Sequence, residues 1–229
     1  MIVADEIHEG TFIRRKSRFS CLVEVSHNQE VVYLPNSGRL ETVLVPGHKV
    51  FLAQKASPDR QTAYDLVGAA SGGGFVSVDS RVPATLIHQA LSRQSLPAFS
   101  TYCTIRREVP RGRSRLDFML IGPASECFIE VKSVTLVRDG RALFPDAPTD
   151  RGRRHVESLT WARREGYVAA IVFVIQRADA EEFAPNDAVD PLFGLALREA
   201  HSRGVHIYAY RCKVTPAEIE LGDEVPVRL

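Results

Sequence analysis

The stretch Arg113-Ser-Arg-Leu-Asp117-Phe-Met-Leu-Ile-Gly-Pro-Ala-Ser-Glu-Cys-Phe-Ile-Glu130-Val-Lys132 decides how the second half of this chain is read. An acidic residue opens an apolar run, Gly122-Pro123 turns the chain, and the returning apolar run ends in Glu130-Val-Lys132. Two strands joined by that turn bring Asp117, Glu130 and Lys132 to one edge of a sheet. Glu130 and Lys132 share a strand face because side chains alternate. Two carboxylates and an ammonium are what metal-assisted cleavage of a phosphodiester needs. A divalent ion neutralises the anionic ester and activates water, and magnesium takes oxygen ligands, only one or two of them protein carboxylates. Asp117 and Glu130 are the candidate ligands of Mg²⁺ or Mn²⁺. Lys132 is placed to orient the attacking water or to offset developing charge. The same residues also suit an exposed same-face pair beside a strand-end aspartate, and on residues alone the two readings stand level.

Outward from this stretch the pattern is strands followed by helices. Tyr102–Glu108, Arg115–Ile121 and Glu126–Val134 read as a meander, Asp150–Glu165 as a helix, and Val168–Ile175 as a fully buried strand. Asp190 caps a further helix that ends at Gly204, with Pro191 in its first turn and Val189, Leu192, Phe193, Ala196, Leu197 and Ala200 as its apolar stripe. Val205–Tyr210 is a strand again. This part is α/β with a mixed sheet. A helix from Pro83 to about Arg93, with Leu86, Ile87, Ala90 and Leu91 inward, precedes it.

The first third is β. Thr11–Val25, Glu30–Leu34, Lys49–Ala53, Ala63–Ala69 and Phe75–Val78 are separated by turn signals that include Pro35-Asn36-Ser37-Gly38, Ser57-Pro58-Asp59 and Gly72-Gly73-Gly74. That spacing suits a small barrel of the OB type, with a sandwich fragment as the competitor. The boundary falls near Ser80, giving an OB-like barrel over 1–80 and an α/β domain over 81–229.

The 229 residues are 45% hydrophobic and 25% charged with a net charge of +1, so bulk charge does not announce nucleic-acid binding. Distribution says more. Residues 106–115 carry five arginines against one glutamate, and residues 138–154 five arginines against three aspartates. A local basic stripe holds phosphates even on a near-neutral protein. The four cysteines are scattered with no Cys-x-x-Cys pair, which argues against a zinc finger. The apolar run 168–175 is too short to span a bilayer, and the start of the chain has no leader pattern, so a cytoplasmic protein with reduced thiols and no membrane contact is expected.

Candidate phosphate contacts follow the arginines. Arg14, Arg15, Lys16 and Arg18 lie where a barrel groove would track a nucleic-acid backbone. Asn36-Ser37-Gly38 is a turn with Gly38 expected at positive φ, and Arg39 beside the turn amides makes an anion site. Arg115 belongs to the basic stretch before Asp117. Arg151, Arg154, His155 and Ser158 share one face of the Asp150 helix, and arginines near a helix start oppose the macrodipole unless an anion sits there. A solvated basic face is the alternative. Asp146 is a third metal ligand or a turn residue after Pro145. Trp161 is expected to pack rather than stack on bases, and Glu108 is the weak candidate for a further acidic group.

Seven segments, in order, resemble one family: Arg14-Arg15-Lys-x-Arg18-Phe19, Pro35-Asn36-Ser37-Gly38-Arg39-Leu40, Gly112-x-Ser114-Arg115-x-Asp117-Phe118, Glu130-Val-Lys132-Ser-Val-Thr-Leu-Val, Phe144-Pro145-Asp146-Ala147-Pro-Thr149-Asp150-Arg151-Gly152-x-x-His155, Phe173-x-x-Gln176-Arg177 and Asp190-Pro191. Together they are similar to the sugar fermentation stimulation protein family (SfsA), and the Asp117…Glu130-Val-Lys132 spacing is that of PD-(D/E)xK nucleases. The resemblance implies an OB-like N-terminal domain, a restriction-endonuclease-like C-terminal domain, DNA binding and a link to regulation of sugar utilisation. It places Asp117, Glu130 and Lys132 in the nuclease-like core and Arg39, Arg151 and His155 against phosphates. Two segments depart from the family's habit, Ser37-Gly-Arg-Leu40 for Thr-Gly-Arg-Met and Ser133 for Asn. A catalytically silent DNA-binding regulator, a metalloenzyme for a small phosphorylated metabolite, and a homo-oligomer remain open alternatives.

Overall fold

Arg18-Phe19 turns the chain inside the first long β segment. In the computed structural model, which describes residues 1–4, 6–55, 60–72 and 74–229, this two-residue turn joins β1 (Ile7–Ser17) to β2 (Ser20–Val25). The sequence predicts one segment there because no Gly, Pro or Asn marks the turn. Strands β3 (Asn28–Tyr33), β4 (Lys49–Gln54), β5 (Tyr64–Ser71) and β6 (Gly74–Ser77) follow. The sheet order is β3-β2-β1-β4-β5-β6, and β3 also pairs with β5 through Tyr33↔Asp65, which closes five strands into a barrel. Closure decides for the OB barrel over the sandwich fragment. Phe12, Val23, Leu34, Leu52 and Leu66 fill it. The turn signals at Ser57-Pro58-Asp59 and at Gly73 lie outside the described residues.

The second domain runs α1 (Val82–Ser92), a single 3₁₀ turn (Pro97–Phe99), then β7 (Thr104–Arg111), β8 (Ser114–Ile121), β9 (Glu126–Val134), β10 (Leu136–Arg138) and β11 (Arg141–Phe144). After these come α2 (Asp150–Arg164), β12 (Val168–Ile175), β13 (Glu182–Pro185), α3 (Pro191–Ser202), β14 (His206–Val214) and β15 (Ile219–Glu224). One six-stranded sheet has the order β15-β14-β12-β9-β8-β7. β7, β8 and β9 are antiparallel, β9, β12 and β14 are parallel, and β15 returns antiparallel. The mixed sheet is sandwiched. Ala170, Val172 and Val174 face the α1 side, while Ala169, Ile171 and Phe173 face α2 and α3. Burial on both faces explains why β12 reads as an unbroken apolar run.

Two helix expectations need correction. Asp190 does cap α3, its Oδ1 accepting from Phe193 N at 3.0 Å, but Leu192 is 58% exposed and the buried stripe is Phe193, Leu197 and Ala200. Leu192 sits one position before Phe193, about 100° around the helix, and only Phe193 reaches the core. Trp161 is also 58% exposed rather than packed, with the Arg164 guanidinium 4.7 Å from its ring centre. No helix among the described residues is long and apolar enough to cross a membrane.

The three-stranded sheet β10-β11-β13 is absent from the sequence reading. Its strands have three or four residues, and β11 finds its partner β13 some forty positions on. Such short segments carry no period of their own. The sheet matters because it holds Phe144-Pro145-Asp146 against the barrel.

Candidate active site between barrel and sheet

Asp117 and Glu130 stand one step beyond the Phe118↔Ile129 pair of the β8–β9 ladder, opposite each other on the same face. Glu130 and Lys132 share a face of β9 with Phe128 and Val134, which belong to the core that α2 covers. Alternation thus aims the two charged side chains at α2, and α2 answers with His155. The imidazole is 6% exposed, and its Nδ1 lies in a short hydrogen bond to Glu130 Oε1. Lys132 Nζ donates to the same oxygen at 2.6 Å. Arg151 Nε donates to His155 Nε2 at 3.4 Å, so the network sets the tautomer with the proton on Nδ1.

Glu130 Oε1 is therefore saturated by two donors, whereas Glu130 Oε2 is buried with no hydrogen-bond partner among the described residues. A buried carboxylate oxygen left bare costs about 1–3 kcal/mol or more. It stands beside a second carboxylate, since Asp117 commits one oxygen, Oδ2, to Val131 N at 2.7 Å. Burial raises the Asp117 carboxyl to about 6, and the Glu130 charge adds to the rise. Burial also opposes ionisation of Glu130, but Lys132 and His155 outweigh it and hold that carboxyl below its ordinary value. The two acids are pushed apart, which is how neighbouring carboxylates acquire different tasks.

The cluster opens into a cleft of about 400 Å³ whose other wall is the barrel turn at Asn36-Ser37-Gly38, with Arg18 and Arg151 at its borders. Asn36 shapes this turn. Its Oδ1 accepts from Gly38 N at 2.8 Å and its Nδ2 donates to Val78 O at 2.7 Å. The positive φ falls on Leu40 rather than on Gly38. Gly38 is needed for another reason: a Cβ there would lie 2.6 Å from Asp146 Oδ2. Asp146 Oδ2 accepts from Leu40 N at 3.0 Å and so ties the C-terminal domain to the barrel. Asp146 lines the cleft, and the turn engages its Oδ2. Among the described residues no three His, Cys, Asp or Glu side chains gather as a metal cage, so Asp117, Glu130 and Asp146 do not form a converged trio. A pair of carboxylates with a bare oxygen still fits a hydrated divalent ion.

Other expected contacts fall elsewhere. Arg15 is a structural clamp. Its guanidinium donates to the carbonyls of Arg18 at 2.6 Å, Asn36 at 2.8 Å and Arg39 at 3.1 Å, and also to that of Gly38. With its donors spent on backbone, it has none for phosphate. Arg15→Lys is expected to lower stability by about 2 kcal/mol in a thermal melt, because one ammonium cannot serve this fork; an unchanged melt would remove the clamp role. Arg14 is exposed on β1, away from the cleft, and Arg39 borders a shallow depression with Lys16 and Arg18. Arg115 pairs with Glu108 at 3.3 Å on the hairpin surface, which also removes Glu108 from the site. On α2 the expected face divides, with Arg151 and His155 in the cleft and Arg154 and Ser158 in a neighbouring cavity.

Sequence reasoning missed the joint between the domains. Gln176 is fully buried, donates from Nε2 to Ser133 Oγ at 2.9 Å, and accepts at Oε1 from Ser77 Oγ at 3.1 Å. The departure at Ser133 is thus a working part, a hydroxyl acceptor where the family's habit is an amide. An isolated glutamine after an apolar strand was the available signal.

A closed OB barrel joined to a mixed-sheet domain of the restriction-endonuclease kind, with acid, acid and lysine on adjacent strands, defines a two-domain protein of nuclease-like architecture. Family models described as "SfsA N-terminal OB domain" and "Sugar fermentation stimulation protein RE domain" match residues 13–78 and 81–218. The chain belongs to the sugar fermentation stimulation protein family. A sugar fermentation stimulation protein homolog of Moorella thermoacetica is 47% identical, over 96% of both chains. One from Chloroflexus aurantiacus is 46% identical, over 96% of this chain and 85% of the relative. The solved structure of Pyrococcus furiosus SfsA, described as a complex with Ca²⁺, has a TM-score of 0.92 at 30% identity with full coverage of both chains.

Proposed function

We propose that this protein binds DNA in the cleft between its domains and hydrolyses a phosphodiester at Asp117, Glu130 and Lys132 with Mg²⁺ or Mn²⁺, as a cytoplasmic factor in the regulation of sugar utilisation. The observation that carries the reading is the bare, buried Glu130 Oε2 beside Asp117 at the floor of an open cleft. The Ca²⁺ complex of the P. furiosus relative supports an oxygen-seeking ion in this fold. Held by Asp117 and Glu130, such an ion supplies charge neutralisation and an acidified water. The chain's own groups do the rest. Arg151 and Arg18 orient the phosphate, His155 and Lys132 keep Glu130 ionised, and the Lys132 ammonium offsets charge that develops on the attacked phosphate.

Purified protein incubated with single- and double-stranded DNA and RNA plus Mn²⁺ tests this. Glu130→Gln is expected to lower cleavage at least ~100-fold while leaving the salt-sensitive DNA affinity in place. If no substrate is cut under any ion, the hydrolytic part is wrong. The two-member acidic set favours one second reading, a DNA-binding regulator without turnover. Arg151→Ala would then weaken binding and Glu130→Gln would not, and neither protein would cut.

A further inference from the structure

The exposed Trp161 lies on the same helix that carries His155 into the cleft. It lines a second cavity of about 510 Å³ between α2 and the β7–β8 hairpin, bordered by Arg113, Ser114 and Arg154. The floor is built. Ser158 Oγ donates to Arg154 O at 2.8 Å and accepts from the Ser114 hydroxyl across 2.8 Å. Arg111 is immobilised beneath, ion-paired with Glu165 and stacked 4.8 Å over Phe128 and 4.9 Å over Tyr167. Arg113 and Arg154, by contrast, are exposed and have no acidic partner among the described residues. Of the two acids on the rim, Glu165 is held by Arg111, and Glu157 has no ion-pair partner among the described residues. Arg164 over the Trp161 ring adds a third guanidinium.

An exposed indole among guanidiniums suits one ligand chemistry in particular. Bases stack on aromatic faces, and arginines hold the phosphates between them. Arg151, Arg154, Ser158 and Trp161 follow one another at helical spacing, so the ridge leads from the cleft border to the indole. Ten residues of helix span ~15 Å, a distance of a few nucleotides. A duplex presents its bases edge-on in the grooves, whereas single strands offer free faces.

We propose that Trp161, Arg154 and Arg113 form a stacking subsite for the single-stranded flank of a nucleic acid whose phosphodiester lies in the cleft. The inference rests on the function proposed above and names its substrate class, a strand with an unpaired segment. Trp161 is the chain's single tryptophan, so its emission reports this site alone.

The full-length protein is titrated with fluorescein-labelled oligothymidylate in EDTA, following label anisotropy and tryptophan emission together. Emission is expected to be quenched with the same midpoint as the anisotropy rise. Trp161→Ala and Arg154→Ala should each weaken binding ~10-fold, with Trp161→Phe recovering most of the loss. An anisotropy rise with unchanged emission overturns the subsite and leaves the proposed function standing, whereas no anisotropy rise with any DNA overturns both. Equal quenching by a blunt duplex overturns the single-strand assignment. Emission that shifts with protein concentration alone, together with a larger sedimenting species, assigns the indole to a second copy of the chain and overturns the subsite.

Discussion

Lys132→Ala is expected to slow DNA cleavage by about two to three orders of magnitude and, at neutral pH, to weaken divalent-ion binding as well. Both effects start from Glu130 Oε1, which accepts from Lys132 Nζ at 2.6 Å and from His155. Burial alone opposes ionisation of Glu130, and Lys132 is the leading charge that reverses this. Without the ammonium the carboxyl retains its proton to higher pH, and a protonated acid is a poor ligand. The two roles of Lys132 separate with pH. Raising the pH favours the ionised Glu130 in the variant too, so ion binding measured by calorimetry should recover as pH rises. Cleavage should not recover, because no ammonium remains to offset charge on the phosphate. If cleavage by Lys132→Ala climbed to the wild-type rate together with ion binding, Lys132 would serve only to hold Glu130 ionised, and its part in the chemistry would be lost.

The residues of this cluster were legible because strand geometry is local. Alternation puts Glu130 and Lys132 on one face, and a Gly-Pro turn of ordinary length brings Asp117 opposite. His155 was legible as a member of a helix face, but its bond to Glu130 depends on how α2 crosses the sheet, which no period encodes. The barrel turn shows the same limit. Asn36-Ser37-Gly38 announces a turn, yet the need for Gly38 comes from Asp146, more than a hundred positions away. Arg15 misled because a guanidinium free to hold phosphate reads the same in sequence as one spent on carbonyls. Trp161 misled for the opposite reason: a lone indole on an amphipathic helix is ordinarily core, and here the helix turns it outward. The small sheet β10-β11-β13 was illegible because each strand is shorter than one sequence period can reveal.

Asp117→Asn is expected to make the ion-free protein more stable at pH 8 and to abolish cleavage. In the folded protein the Asp117 carboxyl titrates at about 6, against 3.8 for an ordinary aspartate. Between those values the native state holds a proton that the unfolded chain has released. Stability therefore falls as pH rises from about 4 to about 6, and above that window the full penalty is in force, ~3 kcal/mol. Asparagine removes the charge and keeps an oxygen to accept from Val131 N, so the variant escapes the penalty. For a chain of this length the gain corresponds to a rise of several degrees in Tm at pH 8, shrinking towards nothing near pH 4. In EDTA, melts of both proteins at the two pH values give the comparison directly. Added Mg²⁺ or Mn²⁺ should raise the wild-type Tm at pH 8, since an ion bound by the native state stabilises it, and should leave the variant nearly unmoved. Equal melting at both pH values, or a variant less stable at pH 8, would mean that Asp117 is not held against its ionisation. A wild type indifferent to the ion while the variant gains stability would mean instead that the two carboxylates repel each other for no ligand's sake. The expected pair of results, a stabilised variant and an ion that stabilises only the wild type, means that the native sequence keeps a destabilising charge at the one position where the proposed chemistry requires it, the exchange of stability for function that active sites commonly make.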